Sequence, residues 1–224
     1  RKDDTIMTQA QKNLEMAVAA HQRYLLKGTN EDLTTAINCY IETIKDWFLK
    51  GLVYGIGVSL SDPKDERLYK ELQCLPTSVL HVIAGIFSNE DYKYLKDKNL
   101  KILILGYKQF RRGNTYYNGF KKSIQNNIDW LSNNIIDFSN HFSVIAFDNL
   151  ALEQIDMKNK LSEDLWRRFY MGDDGNYTFY VDLVEETYAT NSTSIVRFPI
   201  TDFNVQTMFK DIISYKEGRY NDSN

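Results

Sequence analysis

Four short apolar runs, separated by segments with a helical pattern, limit what this chain can fold into more than any other feature. The runs span residues 53–60, 79–86, 102–105 and 144–147 of the 224-residue sequence. Helical patterns lie between them at 66–72, 90–96 and 120–138. Near-continuous apolar strands are typical of a parallel sheet that is covered on both faces, and right-handed crossovers join such strands. The sequence therefore predicts an α/β fold.

Helical segments and a hairpin flank this alternating region. Two helices are predicted before the first strand, over 5–27 and from Thr29 or Asn30 onward, since both residues are good N-caps. After the fourth strand, the pattern predicts helices at 150–155, 163–170 and 205–215, and a hairpin of 177–184 with 187–190. The predicted regions are 1–50 (N-terminal helices), 51–160 (parallel β/α part) and 161–224 (C-terminal α+β extension).

Charge and composition exclude some classes of function. The net charge of −3 argues against a general nucleic-acid binder, although a local basic site at 108–112 is compatible with it. No apolar stretch approaches the roughly 20 residues of a membrane span. Cys39 and Cys74 lie in apolar helical patterns, which predicts buried free thiols. The alternative for the two cysteines is a structural disulfide. A cytoplasmic protein without membrane contact is expected.

Polar residues or glycines follow each predicted strand. In parallel α/β proteins ligands bind beyond the carboxyl ends of the strands, because the loops and helix N-termini converge there. The candidate positions are Ser59, Ser61, His81, Gly85, Tyr107, Lys108, Asp148 and Asn149. The repetition of this pattern predicts a ligand site at that edge of the sheet.

The residue types at this edge each allow two interpretations. The loop 106–119 contains Arg111 and Arg112, which suit a carboxylate or phosphate ligand but equally form a solvated surface cluster. His81 is a core histidine or a proton-transfer group. Asp148 or Asn149 caps the next helix.

The alternative to capping is that Asp148, Asn149 and Glu153 hold a ribose or balance the charge of the arginines.

Other sequence motifs add no chemistry. The segment 173–176 is too compressed for a calcium loop and predicts a turn. The chain contains no P-loop and no dinucleotide or nucleophile-elbow motif.

Five segments together resemble the C-terminal half of radical SAM proteins found in phage and anaerobe-type genomes. They are YGIGVSL, VLHVIAGI, LKILILGYKQFRRG, VIAFDNLALEQ and FYMGDDGNYTFYVD, in this order over residues 50–215. The resemblance implies a partial parallel β/α barrel, a half barrel, that holds S-adenosylmethionine against a [4Fe–4S] cluster. The positions that would contact the cofactor are Ser59, His81, Gly85, Tyr107, Lys108 and Arg112. Those that would contact substrate are Ser61, Asp148, Asn149 and Glu153.

The chain departs from this family in one essential motif. The C-x-x-x-C-x-x-C loop that binds three irons of the cluster is absent, so a cluster is expected only if a missing upstream segment supplies it. Arg1 in place of Met slightly favours a fragment. If the chain is an enzyme, it is the cofactor- and substrate-binding half of a radical SAM enzyme with unassigned catalytic residues and an unknown small-molecule or peptide substrate.

Two other functions stay open at this point. One is a cluster-less binding module that keeps a strand-end pocket for a nucleotide-like or anionic ligand. The other is an interaction protein whose N-terminal helices dock a partner. A half barrel also leaves a sheet edge open, which a second chain could cover.

Overall fold

The computed structural model describes residues 2–110 and 112–219, with side chains from Ala10 onward. It shows a mixed α/β fold with a four-stranded parallel sheet in the order β1-β2-β3-β4 and a separate three-stranded antiparallel sheet. The parallel strands are β1 Ile56–Ser59, β2 Ser78–Ile83, β3 Lys101–Leu105 and β4 Val144–Phe147. The α/β class and the parallel sheet predicted from the sequence are confirmed.

The described part of the chain contains eight α-helices. They are α1 Lys2–Lys27, α2 Asn30–Leu49, α3 Glu66–Cys74, α4 Asn89–Leu95, α5 Arg112–Ser139, α6 Asn149–Gln154, α7 Glu163–Phe169 and α8 Val205–Lys216. Thr29 caps α2 by accepting a hydrogen bond from the Asp32 amide, as its residue type predicts.

Burial alternates along the two central strands. In β2 the side chains of Leu80 and Val82 are buried, whereas Ile83 is 42% exposed. In β3, Ile102 and Ile104 are fully buried, whereas Lys101, Leu103 and Leu105 are partly exposed. One face of the sheet is therefore better covered than the other. The prediction of two fully covered faces was too simple, because an apolar strand can carry apolar residues on a partly exposed face.

Helix α5 begins earlier than its apolar pattern predicts. Its buried face consists of Ile124, Ile128, Leu131, Ile135 and Phe138, and the first four match the predicted register. The prediction that 106–119 is entirely loop was wrong, since α5 starts at Arg112. Phe120 has non-helical backbone angles (φ −130°, ψ 19°) that divide α5 into a short first part and a long second part. Gly113, Asn114 and Gly119 have low helix propensity, which hid the first part from a sequence reading.

The C-terminal hairpin is present and has a third strand. β5 Tyr180–Asp182 pairs antiparallel with β6 Thr187–Ala189, and β6 pairs with β7 Phe198–Pro199. Tyr188, Phe198, Met208 and Ile212 form the buried core between this sheet and α8. The segment 198–199 is too short to show a strand period in the sequence.

The chain divides into two compact units. The first comprises residues 1–58 and 66–80, and within it α1 packs along α2 and Lys45 forms an ion pair with Glu71 at 2.7 Å. The second comprises residues 59–65 and 81–224. The parallel strands do not form a closed barrel over the described residues.

The cysteines and helices bear on two further predictions. Both cysteines are free, as predicted, but only Cys39 is partly buried, and Cys74 is exposed. The prediction of a buried thiol at Cys74 was wrong, because that residue lies at the end of α3 on its exposed side. None of the helices in the described ranges combines the length and apolarity that crossing a bilayer requires.

We expect Gly106→Ala to destabilise the protein by about 1–3 kcal/mol, the usual cost of overpacking. A Cβ atom at Gly106 would lie 2.7 Å from the Ala151 amide nitrogen and 2.6 Å from Leu150 Cβ, at the start of α6. Urea unfolding measures the change. Gly119→Ala is the control, since a Cβ there meets nothing within 4 Å and alanine in a helix gains about 0.5–1 kcal/mol over glycine. Equal stability of the two variants would contradict the close approach of β3 and α6.

Candidate functional site

A cavity of about 410 Å³ lies at the carboxyl ends of β2, β3 and β4, within the second unit. Ile83, Ile86 and Leu105 form its apolar part. The polar and aromatic lining comes from the β3–α5 loop, the first turns of α5 and the end of β4, namely Tyr107, Lys108, Arg112, Tyr116 and Asp148. This volume falls in the range of about 300–1,000 Å³ that small-molecule sites occupy. The strand-end position is the one that parallel α/β topology predicts.

Asp148 fixes the wall of the cavity through two backbone amides. Its Oδ1 accepts hydrogen bonds from Gly106 N at 2.8 Å and from Ala151 N at 2.7 Å. The second bond caps α6, and the first ties the end of β3 to the start of that helix. Part of the carboxylate charge is therefore used within the protein, as the capping interpretation of this residue predicts.

Gln154 holds the backbone at Tyr107. The side-chain Oε1 of Gln154 accepts from Tyr107 N at 2.8 Å, and its Nε2 donates to Tyr107 O at 2.9 Å. This reciprocal pair satisfies a loop peptide that has no strand partner at this position. No local sequence pattern marks Gln154, because a glutamine on a short helix resembles any surface residue.

Tyr107 closes the loop on itself. Its hydroxyl donates to Gly113 O at 2.6 Å, and its ring is 6% exposed. Burial is the main cause that raises the pKa of Tyr107, with smaller effects from Tyr116 and Tyr117. The phenol consequently stays protonated and remains a hydrogen-bond donor. A Cβ atom at Gly113 would overlap Lys108 O, so only glycine permits this tight approach of the loop to α5.

Two cations stand at the rim of the cavity. Lys108 and Arg112 are both exposed. Lys108 Nζ donates to Ser192 Oγ at 3.1 Å. Over residues 10–110 and 112–219, no carboxylate lies within ion-pair distance of either side chain. Neither rim cation is therefore paired with a carboxylate of the described residues.

Aromatic rings extend from the cavity along α5. Tyr116 lines the cavity, and its ring stacks on that of Phe120 with centroids 4.5 Å apart and planes inclined by 22°. Both rings remain about half exposed, at 43% and 51%. A flat ring of a ligand could stack on this pair in the offset geometry that aromatic pairs prefer.

The structure separates some of the other predicted positions from the cavity. Ser59 ends β1 and is exposed, and Ser61 lies exposed in the following loop. His81 points to the opposite side of β2 from Leu80 and Val82 and is partly buried, while its carbonyl accepts from Leu60 N at 2.9 Å. None of these three residues lines the cavity.

Gly85, Asn149 and Glu153 also lie outside the lining. A Cβ atom at Gly85 would come within 2.6 Å of Ile124 Cγ2, so the glycine permits close packing beneath Tyr107. Asn149 Nδ2 donates to Asp174 Oδ1 at 2.7 Å and thereby joins α6 to the turn at 173–176. The Glu153 side chain is exposed. The cavity thus brings together Tyr107, Lys108, Arg112 and Asp148 from the predicted set; Arg111 lies outside the described residues.

No protein-family model, no curated protein and no solved structure matches the chain significantly. Within the described residues, no group of three His, Cys, Asp or Glu side chains is placed to hold a metal ion.

We expect Gln154→Glu to lower the free energy of unfolding by about 1–3 kcal/mol, the cost of leaving a buried polar group unsatisfied. A carboxylate cannot donate to Tyr107 O, so the reciprocal pair becomes a repulsive contact. Chemical denaturation checks this. Glu153→Gln, the opposite exchange at the neighbouring exposed position, is the matched control and should change stability by less than about 0.5 kcal/mol. If the two variants behave alike, Gln154 does not hold the loop.

Proposed function

We propose that the cavity at the carboxyl ends of β2–β4 binds a small organic anion with a flat or apolar part, such as a nucleotide-like molecule. The observation that carries this proposal is the pair of rim cations, Lys108 and Arg112, beside an apolar cavity. A charge at the edge of an apolar wall acts through a lower dielectric than bulk water and interacts more strongly with an anion.

The start of α5 supports an anionic ligand. Arg112 and Gly113 line the cavity and belong to the first turn of the short first part of α5. The Gly113 amide already donates to Phe110 O at 3.0 Å, so the support for an anion comes from the Arg112 side chain. Its guanidinium fork suits a carboxylate or phosphate group.

Asp148 and Tyr116 suit the remainder of such a ligand. Asp148 Oδ1 accepts hydrogen bonds from two backbone amides. Oδ2 makes no hydrogen bond to the described residues and can accept one from a ligand hydroxyl, such as that of a ribose. The half-exposed ring of Tyr116 offers a stacking surface for a base. These features favour a nucleotide-like ligand over a simple inorganic anion.

On the basis of the sequence resemblance, we propose S-adenosylmethionine as the particular ligand. Its carboxylate would meet Arg112, its adenine ring Tyr116 and its ribose hydroxyls Asp148. The same resemblance proposes that the four parallel strands belong to a half barrel and that the protein is part of a radical SAM enzyme. The chemistry of such an enzyme also needs a cluster, and the three-cysteine loop that binds it is absent from the sequence.

Titration calorimetry tests the binding proposal directly. S-adenosylmethionine, S-adenosylhomocysteine and AMP are titrated separately into the protein, and thermal unfolding is followed with each. We expect heat and a rise in Tm with at least one of them, because a ligand that binds only the folded state stabilises it. No heat and no shift in Tm at millimolar concentrations of all three would overturn the proposal.

We expect Arg112→Ala to weaken binding of the responding ligand by about 10-fold or more, since hydrogen bonds to charged groups contribute about 1.5–3 kcal/mol. Lys108→Ala should have a smaller effect, because Lys108 already bonds to Ser192 and is a point charge without a fork. Arg67→Ala, on the exposed side of α3, is the control for a general loss of positive charge. An unchanged affinity in Arg112→Ala would exclude this residue from the site.

Anaerobic iron–sulfide reconstitution tests the enzyme proposal separately. A radical SAM enzyme should turn brown and bind iron in the full-length protein, whereas a cluster-less binding module should stay colourless and still bind its ligand. A colourless, iron-free full-length protein would end the enzyme proposal and leave the binding proposal intact.

A further inference from the structure

The segment around the cavity has an unusual composition. Residues 106–124 contain five Lys or Arg residues, four Tyr or Phe residues besides Tyr107, and no Asp or Glu. The whole chain carries a net charge of −3, so positive charge is concentrated here. Such a local concentration is compatible with the overall composition, which argues only against nucleic-acid binding over the whole surface.

One exposed cation and two exposed aromatic rings follow one another along the start of α5. Arg112, Tyr116 and Phe120 follow one another at intervals of four residues, and all three are exposed. Four-residue spacing places them along one side of a helix over about 12 Å. This stripe begins at the cavity, because Arg112 and Tyr116 line it.

Two lysines extend the positive charge beyond the stripe. Lys121 and Lys122 are exposed. Lys121 Nζ lies 5.8 Å from the centre of the Tyr117 ring. Neither lysine has a carboxylate within ion-pair distance in the described parts of the chain. Both ammonium groups are therefore available to an external anion near the far end of the stripe.

We propose that this surface binds a single-stranded nucleic acid, with one terminal nucleotide in the cavity and the adjoining nucleotides along the Arg112–Tyr116–Phe120 stripe. Stacking on exposed aromatic rings together with cations that follow a phosphate backbone is how proteins hold single strands. Phe110, 48% exposed in the β3–α5 loop, provides a further ring at the same end of α5. A duplex is a poorer ligand, because its bases are already stacked and cannot reach the rings. This proposal rests on the proposed function, in which the cavity binds a nucleotide-like ligand. It identifies that ligand as the terminal nucleotide of a single-stranded nucleic acid.

Fluorescence anisotropy with labelled 12-nucleotide oligo(dT) and oligo(U) tests the proposal, with a 12-base-pair duplex DNA as the comparison. We expect at least one single strand to bind about 10-fold or more tightly than the duplex at the same salt concentration. Tyr116→Ala/Phe120→Ala should weaken single-strand binding by about 10-fold or more, because each stacked base depends on its ring. Circular dichroism confirms that this variant folds.

A second variant keeps the test valid if the aromatic variant does not fold. Lys121→Gln/Lys122→Gln should weaken binding and reduce the slope of log Kd against log salt by about 1.4, since each phosphate contact to a single strand contributes about 0.7. Lys70→Gln/Lys158→Gln removes two exposed lysines elsewhere and should leave both the affinity and the slope unchanged. An equal loss in this control, equal affinity for the duplex, or no oligonucleotide binding at low salt would overturn the proposal.

The same protein preparation separates this inference from the proposed function. If AMP or S-adenosylmethionine binds and no oligonucleotide does, the cavity takes a free small molecule and the strand-end proposal fails alone. If an oligonucleotide binds and no free nucleotide or S-adenosylmethionine does, the strand-end proposal stands and the proposal of a free small ligand fails.

Discussion

The candidate site depends on the hydrogen bonds that the carboxylate of Asp148 accepts from two backbone amides. One oxygen joins the Gly106 amide, where β3 ends, to the Ala151 amide, where α6 begins. A charged acceptor between two amides is stronger than a neutral hydrogen bond, and the absence of a side chain at Gly106 lets α6 approach closely. Because the β3–α5 loop leaves the sheet from this fixed point, the positions of Lys108 and Arg112 depend on it.

The four parallel strands could be predicted from the sequence, and several of the candidate residues that follow them line the cavity. The run at 144–147 coincides with β4, and the residues after the strands include Tyr107, Lys108 and Asp148, all of which line the cavity. Strand-end polar residues are informative because parallel topology brings separate loops to one edge. The same rule could not distinguish residues that line the cavity from those that only follow a strand, such as Ser59 and Gly85, because side-chain direction depends on register and packing.

The parts that sequence reading missed depend on tertiary context. Gln154 acts through a reciprocal bond to a peptide 47 residues away along the chain, a distance at which no local pattern exists. The first part of α5 is helical although Gly113 and Gly119 have low helix propensity. It forms where Tyr107 donates to the Gly113 carbonyl and where the missing Cβ at Gly113 admits the loop. Tertiary contacts outweigh propensity in this first part, which ends at the non-helical Phe120.

The change from apolar strand to basic, aromatic segment at Gly106 has a physical explanation in this arrangement. Gly106 and Gly113 allow close approach of backbone to backbone, so the loop can be anchored by its peptides and by the buried Tyr107 ring. The side chains of Lys108, Arg112 and Tyr116 remain exposed around the cavity. Like charges gathered without acidic partners destabilise a folded protein slightly. Lys108 and Arg112 have no acidic partner among the described residues at this strand-end cavity, and this is the basis for proposing an anionic ligand there.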